Sequence, residues 1–348
     1  MDADPQSDLP ELEAAIDEYI DWAESEALDD CLLPLPAARA RMLQSIGDRI
    51  GGFEIERRLG AGGMGLVFLA RQLSVDRRWV ALKVLRTSFA EESVAERFRR
   101  EVRALAALDH ESIVPVLAAD LESDPPFYAM PYVEGASASQ LLRELRAAGE
   151  LPPTMQALRT IVTQDKQEEP STPSTEHWEE TYHRWLARIF IQLAGALEHA
   201  HERGVLHRDV KPGNVMITPA GRAVLLDFGL ASRTGDESLT VTGAFLGTLA
   251  YASPEQAAGD DWGVAADVYS LGSTLYHFLT LHQPFEAADR RELAHRIDHE
   301  EPDSVGTEVP VGLRNICRCA MAKSPQHRYA SAGAMAHDLE AYLHGAPL

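Results

Sequence analysis

The 348-residue sequence has little cysteine, little positive charge and no long apolar run. Three cysteines in a chain of this length do not form a disulfide framework, so a reducing cytoplasm is the simplest setting. No stretch has the roughly eighteen apolar residues of a membrane span, and the N-terminus has no basic-then-apolar signal pattern, which predicts no membrane segment in this chain. The net charge of −22 argues against nucleic acid as a partner, because phosphates need Lys and Arg to neutralise them.

Half of the acidic excess lies in the first seventh of the chain. Residues 1–48 carry thirteen acidic side chains and two arginines, which gives a net charge of −11. In this acidic leader, residues 1–50, apolar residues at helical spacing predict one amphipathic helix: Leu12, Ile16, Tyr19, Ile20, Ala23 and Ala27. The helix would be a solvated element packed loosely on the domain or a docking or autoinhibitory element. Disorder is the third interpretation of this leader.

The rest of the chain has strand patterns first and helical patterns afterwards, and its apolar content suffices for a core. Strands are predicted at 53–59, 67–70, 79–85, 127–130 and 223–226, and helices at 91–108, 140–147, 185–204, 264–281, 291–299 and within 310–343. Residues 149–176 are rich in Pro, Thr, Gln and Glu. This composition predicts an exposed insertion that contributes nothing to the core.

Glycines 60, 62, 63 and 65 stand between two predicted strands. A dinucleotide-binding fingerprint would have a helix after its glycines, so this setting argues against a dinucleotide fold. It favours a hairpin that lies over a nucleotide, where the missing Cβ atoms let the backbone approach phosphates. An ordinary glycine-rich hairpin is the alternative for this segment taken alone.

Lys83 lies in an apolar strand, where a lysine needs an anionic partner. Glu101, on the following predicted helix, could pair with it and hold it toward phosphate. Alternatively, Glu101 is a solvated helix charge, because several arginines crowd the same segment.

The loop at residues 207–214 brings together Asp209, Lys211 and Asn214, and a second aspartate, Asp227, follows the next strand. An Asp and Asn pair supplies the hard oxygen ligands that suit Mg²⁺. The remaining Asp and Lys suit proton acceptance and the stabilisation of phosphoryl charge. The histidines of this region do not predict a metal hydrolase, because His199 and His201 face different sides of one helix.

With these motifs in order, residues 53–343 resemble the eukaryotic-like Ser/Thr protein kinases, especially those of bacteria. The resemblance implies an α+β, two-lobed fold. A small β-rich lobe would span about 53–130, a connector 131–135, and a large helical lobe 136–343 with the insertion at about 149–176. It also implies transfer of the γ-phosphoryl group of ATP to Ser or Thr hydroxyls of proteins, with Mg²⁺, or Mn²⁺ in its place.

The resemblance assigns roles to individual residues. Asp209 would orient the substrate hydroxyl and accept its proton, and Lys211 would contact the γ-phosphate. Asn214 and Asp227 would bind the metal, and Glu101 would pair with Lys83. The expected ATP-binding residues are Leu59, Gly60, Ala61, Gly62, Gly63, Met64, Gly65, Leu66, Val67, Ala81, Lys83, Met130 and Val133.

Other residues would support or regulate this site. Glu255 would pair with Arg328, Asp267 would accept hydrogen bonds from loop N–H groups, and Thr248 would bridge Asp209 and Lys211 or be a simple turn threonine. Thr240 and Thr242 are candidate autophosphorylation sites, with Arg208 as the partner of the phosphate. A homodimer would serve that reaction. The acidic chain favours basic protein substrates. A pseudokinase that acts as a scaffold is the alternative function.

Overall fold

The computed structural model describes residues 48–62, 65–85, 99, 102–123, 125–149, 151–152, 154–163, 178–228 and 247–346. Residues 1–47 of the leader lie outside this set, and so do five of the predicted site residues: Gly63, Met64, Glu101, Thr240 and Thr242. Among the described residues, no helix has both the length and the apolar character needed to cross a membrane.

A six-stranded antiparallel sheet forms the smaller, N-terminal lobe. Its strands are β1 (Arg49–Ile50), β2 (Phe53–Gly62), β3 (Gly65–Gln72), β4 (Arg78–Leu85), β5 (Ala118–Asp120) and β6 (Phe127–Pro131). They lie in the order β1-β2-β3-β4-β6-β5. β4 is central and its residues from Val80 to Leu85 are all buried, which explains its almost wholly apolar sequence. One face of the sheet packs on its own core around Phe68, Leu82 and Phe127.

Helices dominate the larger lobe, which also holds a small three-stranded sheet. The helices are α1 (Ala138–Ala148), α2 (Gln156–Thr163), α3 (Tyr182–His201), α4 (Pro254–Ala258), α5 (Val264–Thr280), α6 (Arg290–His299), α7 (Val311–Ala320) and α8 (Ala332–His344). The sheet consists of β7 (Ala136–Ser137), β8 (Val215–Ile217) and β9 (Ala223–Leu225). The helix α5 is buried on nearly every side, as its apolar sequence predicts.

The strands and helices predicted from apolar periodicity are confirmed wherever the structure describes them, with ends shifted by a few residues. The prediction that residues 149–176 contribute nothing to the core is wrong for the first half of that segment. Met155, Leu158 and Val162 are buried in the main core, on or beside α2. Their spacing follows one helical face. The composition of the whole segment is polar, so these three apolar residues did not stand out in the sequence.

Candidate active site

A glycine-rich hairpin of β2 and β3 forms one part of the site. Gly60 lies opposite Val67, and Gly62 opposite Gly65. A Cβ atom on Gly65 would lie 2.0 Å from the carbonyl oxygen of Val84, so the approach of β4 requires glycine here. An added Cβ on Gly60 would meet no atom within 4 Å. Gly65 therefore allows β3 and β4 to pack closely, whereas the space beside Gly60 is open.

The apolar residues predicted to bind ATP lie mostly in one cluster. Four of them belong to the main core or pack against it: Leu59, Val67, Ala81 and Met130. Val133 is half-buried in the connector. Leu66 packs instead against the core of the small lobe, because neighbours along a strand project to opposite faces. Only the backbone of Leu66 can therefore face the same side as Val67.

Lys83 on β4 reaches across to the larger lobe. It is 7% exposed, and its Nζ lies 2.8 Å from Oδ2 of Asp227. The hydroxyl of Tyr128, on β6, donates to the other oxygen of the same carboxylate at 3.1 Å. The sequence predicted the lysine and the aspartate but not the tyrosine, because Tyr128 stood out only as one residue of an apolar strand.

The carboxyl group of Asp227 is held in its ionised form. Burial alone would raise its pKa, but the Lys83 ammonium and the Tyr128 hydroxyl act against this, and the net pKa is below its ordinary value. Burial, reinforced by the charge of Asp227, raises the pKa of Tyr128, so the phenol remains a donor at neutral pH. The Asp227 side chain is 28% exposed, which leaves part of the carboxylate accessible.

Asp209, Lys211 and Asn214 form a second group on the loop before β8. The amide of Asn214 donates to the backbone oxygen of Asp209 at 2.8 Å and to its Oδ2 at 2.9 Å. Lys211 Nζ lies 3.3 Å from that Oδ2 and donates to Thr248 at 2.6 Å. Lys211 therefore joins Asp209 to Thr248, whereas the sequence had predicted Thr248 as the bridging residue.

Asn214 and Asp227 are suited to hold Mg²⁺. The β8–β9 hairpin brings them together, and the N–H of Leu226 donates to the backbone oxygen of Asn214 at 2.8 Å. Because the Asn214 amide nitrogen faces Asp209, its carbonyl oxygen is directed elsewhere. One ionised carboxylate and one amide oxygen match the hard ligands that Mg²⁺ takes from proteins beside phosphates and water.

Asp267 holds the backbone of the loop at residues 207–214. It is fully buried at the start of α5 and accepts the N–H groups of His207 and Arg208, each at 2.8 Å. His201 Nε2 lies 2.8 Å from the same carboxylate. Arg208 has φ of 70°, a left-handed conformation that is disfavoured for arginine. The bond from its N–H to Asp267 helps to hold this conformation.

His207 links the loop to the segment that carries Asp227. Its Nε2 lies 2.9 Å from the backbone oxygen of Leu226, and its ring packs on Phe228 with centroids 4.5 Å apart. Burial lowers the pKa of His207 in spite of the neighbouring acids, Asp267 foremost, so a neutral ring is favoured. In that state Nε2 donates to Leu226 and Nδ1 accepts the N–H of Asp209 at 3.3 Å.

Two lysines, two aspartates and one asparagine thus come together in this site. Comparison with known proteins agrees with this arrangement. The protein kinase domain family matches residues 53–339. The chain belongs to this family. It is similar to bacterial eukaryotic-like Ser/Thr kinases, and the predicted two-lobed kinase fold is confirmed.

Several relatives of this chain are bacterial. It is 36% identical to serine/threonine-protein kinase PknJ of Mycobacterium tuberculosis over 86% of this chain and 47% of that protein. It is 34% identical to PrkC of Bacillus subtilis over 85% of this chain and 41% of that protein. The crystal structure of the Mycobacterium tuberculosis PknI kinase domain has a TM-score of 0.60 and 27% identity, and the match covers 86% of this chain and 99% of that one. The chain thus spans less than half the length of either curated relative.

Further residues brace this site from the large lobe. Arg328 donates to both oxygens of Glu255, at 2.6 and 2.8 Å, so the pair expected from the sequence is present. Gln256 on α4 donates to the backbone oxygen of Arg208 at 3.2 Å. The sequence analysis missed Gln256, as it missed Tyr128 and the contacts of His207. A capping box from Ser253 to Gln256 was the available signal for the start of α4.

Proposed function

We propose that this protein is a Ser/Thr protein kinase that transfers the γ-phosphoryl group of MgATP to protein hydroxyls. The observation that carries the proposal is the convergence of Lys83 and Asp227, 2.8 Å apart, beside the loop of Asp209 and Asn214. Bound MgATP would supply the phosphoryl group and the divalent charge that neutralises it. The protein itself would contribute position and charge.

Asp209 is suited to receive the substrate hydroxyl. Lys211 and Asn214 both contact its Oδ2, which leaves Oδ1 as the oxygen that can accept the proton of a serine or threonine. The ammonium of Lys211 would offset negative charge on the transferred group. Lys83 would hold the remaining phosphates, and Mn²⁺ could replace Mg²⁺ at Asn214 and Asp227.

A scaffold without catalysis is the alternative function. Such proteins usually lack the lysine, the proton-accepting aspartate or the metal-binding aspartate. Lys83, Asp209 and Asp227 are all present here. The complete set supports an active enzyme.

Transfer of labelled phosphate from ATP to casein tests the proposed activity, and phosphoamino-acid analysis tests its preference for Ser and Thr. In this assay Lys83→Ala should lower turnover by about 10²- to 10³-fold, because phosphate loses its cation and Asp227 loses a donor. A matched control is Lys323→Ala, which removes an ammonium that donates to the backbone oxygen of Ile297 on α6. Near wild-type turnover in Lys83→Ala would contradict the assignment of this lysine.

Regulation by autophosphorylation is the second element of the proposal. Thr240 and Thr242 lie outside the described residues, and Arg208, beside Asp209, is the candidate partner of a phosphate there. A phosphate adds about −1.5 to −2 charge and could order the segment through an Arg contact. We expect mass spectrometry to find phosphate on one of the two threonines of the active enzyme, and Thr240→Ala/Thr242→Ala to reduce activity. A fully active enzyme that is unmodified at both sites would refute this.

Three further expectations concern the substrate preference, the assembly and the location of the protein. The net charge of −22 would favour encounter with basic protein segments. A homodimer would serve autophosphorylation in trans, and the cytoplasm is the proposed location. Peptide arrays with basic and acidic flanks, compared at two salt concentrations, would test the first expectation.

A further inference from the structure

Tyr128 and Lys83 reach the same carboxylate from neighbouring strands. β4 and β6 are antiparallel, and Lys83 and Tyr128 are direct partners in their register. Directly opposed residues of an antiparallel pair project to the same side of the sheet, so the two long side chains run side by side toward Asp227. The Lys83 ammonium lies 5.8 Å from the centroid of the Tyr128 ring.

The two donors divide the carboxylate of Asp227 between them. Lys83 contacts Oδ2 at 2.8 Å, and the Tyr128 hydroxyl donates to Oδ1 at 3.1 Å. A single contact would leave the carboxylate free to rotate about its side-chain bonds, whereas contacts on separate oxygens fix its plane. A carboxylate has about four lone-pair positions, so the fixed group still has positions for a cation.

The backbone of Asp227 also depends on its surroundings. Its φ of 41° lies in the left-handed region, which is disfavoured for residues with a Cβ atom. From the large lobe, the His207 ring lies 2.9 Å from the preceding carbonyl, on Leu226. From the small lobe, Tyr128 and Lys83 hold the side chain. Asp227 is therefore fixed from both lobes, and Tyr128 provides one of the two contacts from the sheet.

We propose that Tyr128 is a positioning residue for the metal site, whose hydroxyl orients the Asp227 carboxylate toward the divalent cation of the bound nucleotide. This inference rests on the proposed kinase function, because it concerns the metal site of that function. Tyr128 acts through Asp227 and need not touch the metal or the nucleotide.

A hydroxyl that only stabilised the fold would have different consequences when removed. Tyr128 is a buried member of the main core, so loss of its hydrogen bond should lower stability in either case. Only a positioning role predicts weaker metal binding together with an unchanged affinity for the nucleotide without metal. An effect through Lys83 would instead weaken nucleotide binding with and without metal.

The test compares wild type with Tyr128→Phe, which removes one oxygen atom and keeps the ring. Binding of Mn²⁺ is measured by electron paramagnetic resonance in the presence of a non-hydrolysable ATP analogue. Binding of the same analogue in excess EDTA is measured by calorimetry. We expect Mn²⁺ affinity to fall by about tenfold, the scale of one hydrogen bond to a charged group, and the affinity in EDTA to remain at the wild-type value.

Tyr182→Phe is the matched control. The buried hydroxyl of Tyr182 donates to the backbone oxygen of Phe278 at 2.7 Å, within the large lobe. Its removal should lower the melting temperature and leave Mn²⁺ affinity unchanged.

Two results would overturn the inference. The first is wild-type Mn²⁺ affinity in Tyr128→Phe, and the second is an equal loss of nucleotide affinity in EDTA. A wild-type protein that binds Mn²⁺ with nucleotide but transfers no phosphate would contradict the proposed function instead. In that event the comparison of Mn²⁺ affinities would still decide the role of Tyr128.

Discussion

Asp209→Asn should lower phosphoryl transfer by about 10²- to 10⁴-fold while the protein remains folded, because the amide cannot accept the proton of the substrate hydroxyl. Asparagine has nearly the same size, so the loop should keep its shape. The measurement is the initial rate with saturating MgATP and casein, together with the melting temperature and the affinity for an ATP analogue.

The surroundings of Asp209 add to this effect. Its Oδ2 takes a hydrogen bond from Asn214 and lies 3.3 Å from the Lys211 ammonium. An amide nitrogen in that position would face two donors, so the new side chain should turn its oxygen toward them and its nitrogen toward the substrate. Nucleotide binding should change little, because Lys83 and Asp227 are untouched.

Asp303→Asn is the control for this experiment, since it makes the same chemical change at an exposed residue of the large lobe. It should have wild-type activity. If Asp209→Asn retained a tenth or more of the wild-type rate, about the loss expected from a minor contact, Asp209 would not be the proton acceptor.

Arg328→Met should have the largest effect on stability, about 3–5 kcal/mol, because it leaves a carboxylate in the protein without its cation. The Arg328 side chain has no exposure and that of Glu255 has 12%. Arg328 also donates to the backbone oxygens of Ala265, Ala322 and Lys323, so its loss removes a donor from three acceptors. Urea denaturation of the wild type and the variant would give the difference in the free energy of unfolding.

Arg296→Met offers a matched control on α6. Arg296 pairs with Glu292 at 2.7 Å, but the two side chains are 40% and 43% exposed. An exposed pair of this kind contributes within about 1 kcal/mol. Equal effects of the two Arg→Met changes on the free energy of unfolding would show that the buried pair contributes no more to stability than the exposed one.

The same pair predicts a pH dependence. Burial would raise the pKa of Glu255, but its bonds to Arg328 and to backbone and Ser253 donors lower it below its ordinary value of 4.5. A group whose pKa is lower in the folded state stabilises the fold above its unfolded pKa and loses this contribution as the pH falls through the folded pKa. The stability difference between wild type and Glu255→Gln should therefore be full at pH 7 and shrink below about pH 4.5. A difference that stayed constant down to pH 3 would contradict the shift.

The loop at residues 207–214 and the glycine hairpin were predictable because their information is local. Residues 207–214 carry their chemistry within eight positions, and the glycines are recognisable from the strands that flank them. Apolar periodicity likewise determined α3 and α5, since a buried helix needs little beyond its own pattern. The helix α2 was not predicted, because three buried residues do not dominate the composition of a polar segment.

The kinase fold, the acidic character and the residue types of the site could thus be predicted from the amino-acid sequence. Several contacts that hold the site in place could not, because they join residues far apart in the chain. Tyr128 meets Asp227 across 99 positions, His201 meets Asp267 across 66, and Gln256 meets Arg208 across 48. Such pairs depend on strand register and helix packing. Local spacing does not determine which residue makes such a contact, because several neighbouring residues would suit it equally well. The contacts therefore appear only when the two lobes are folded.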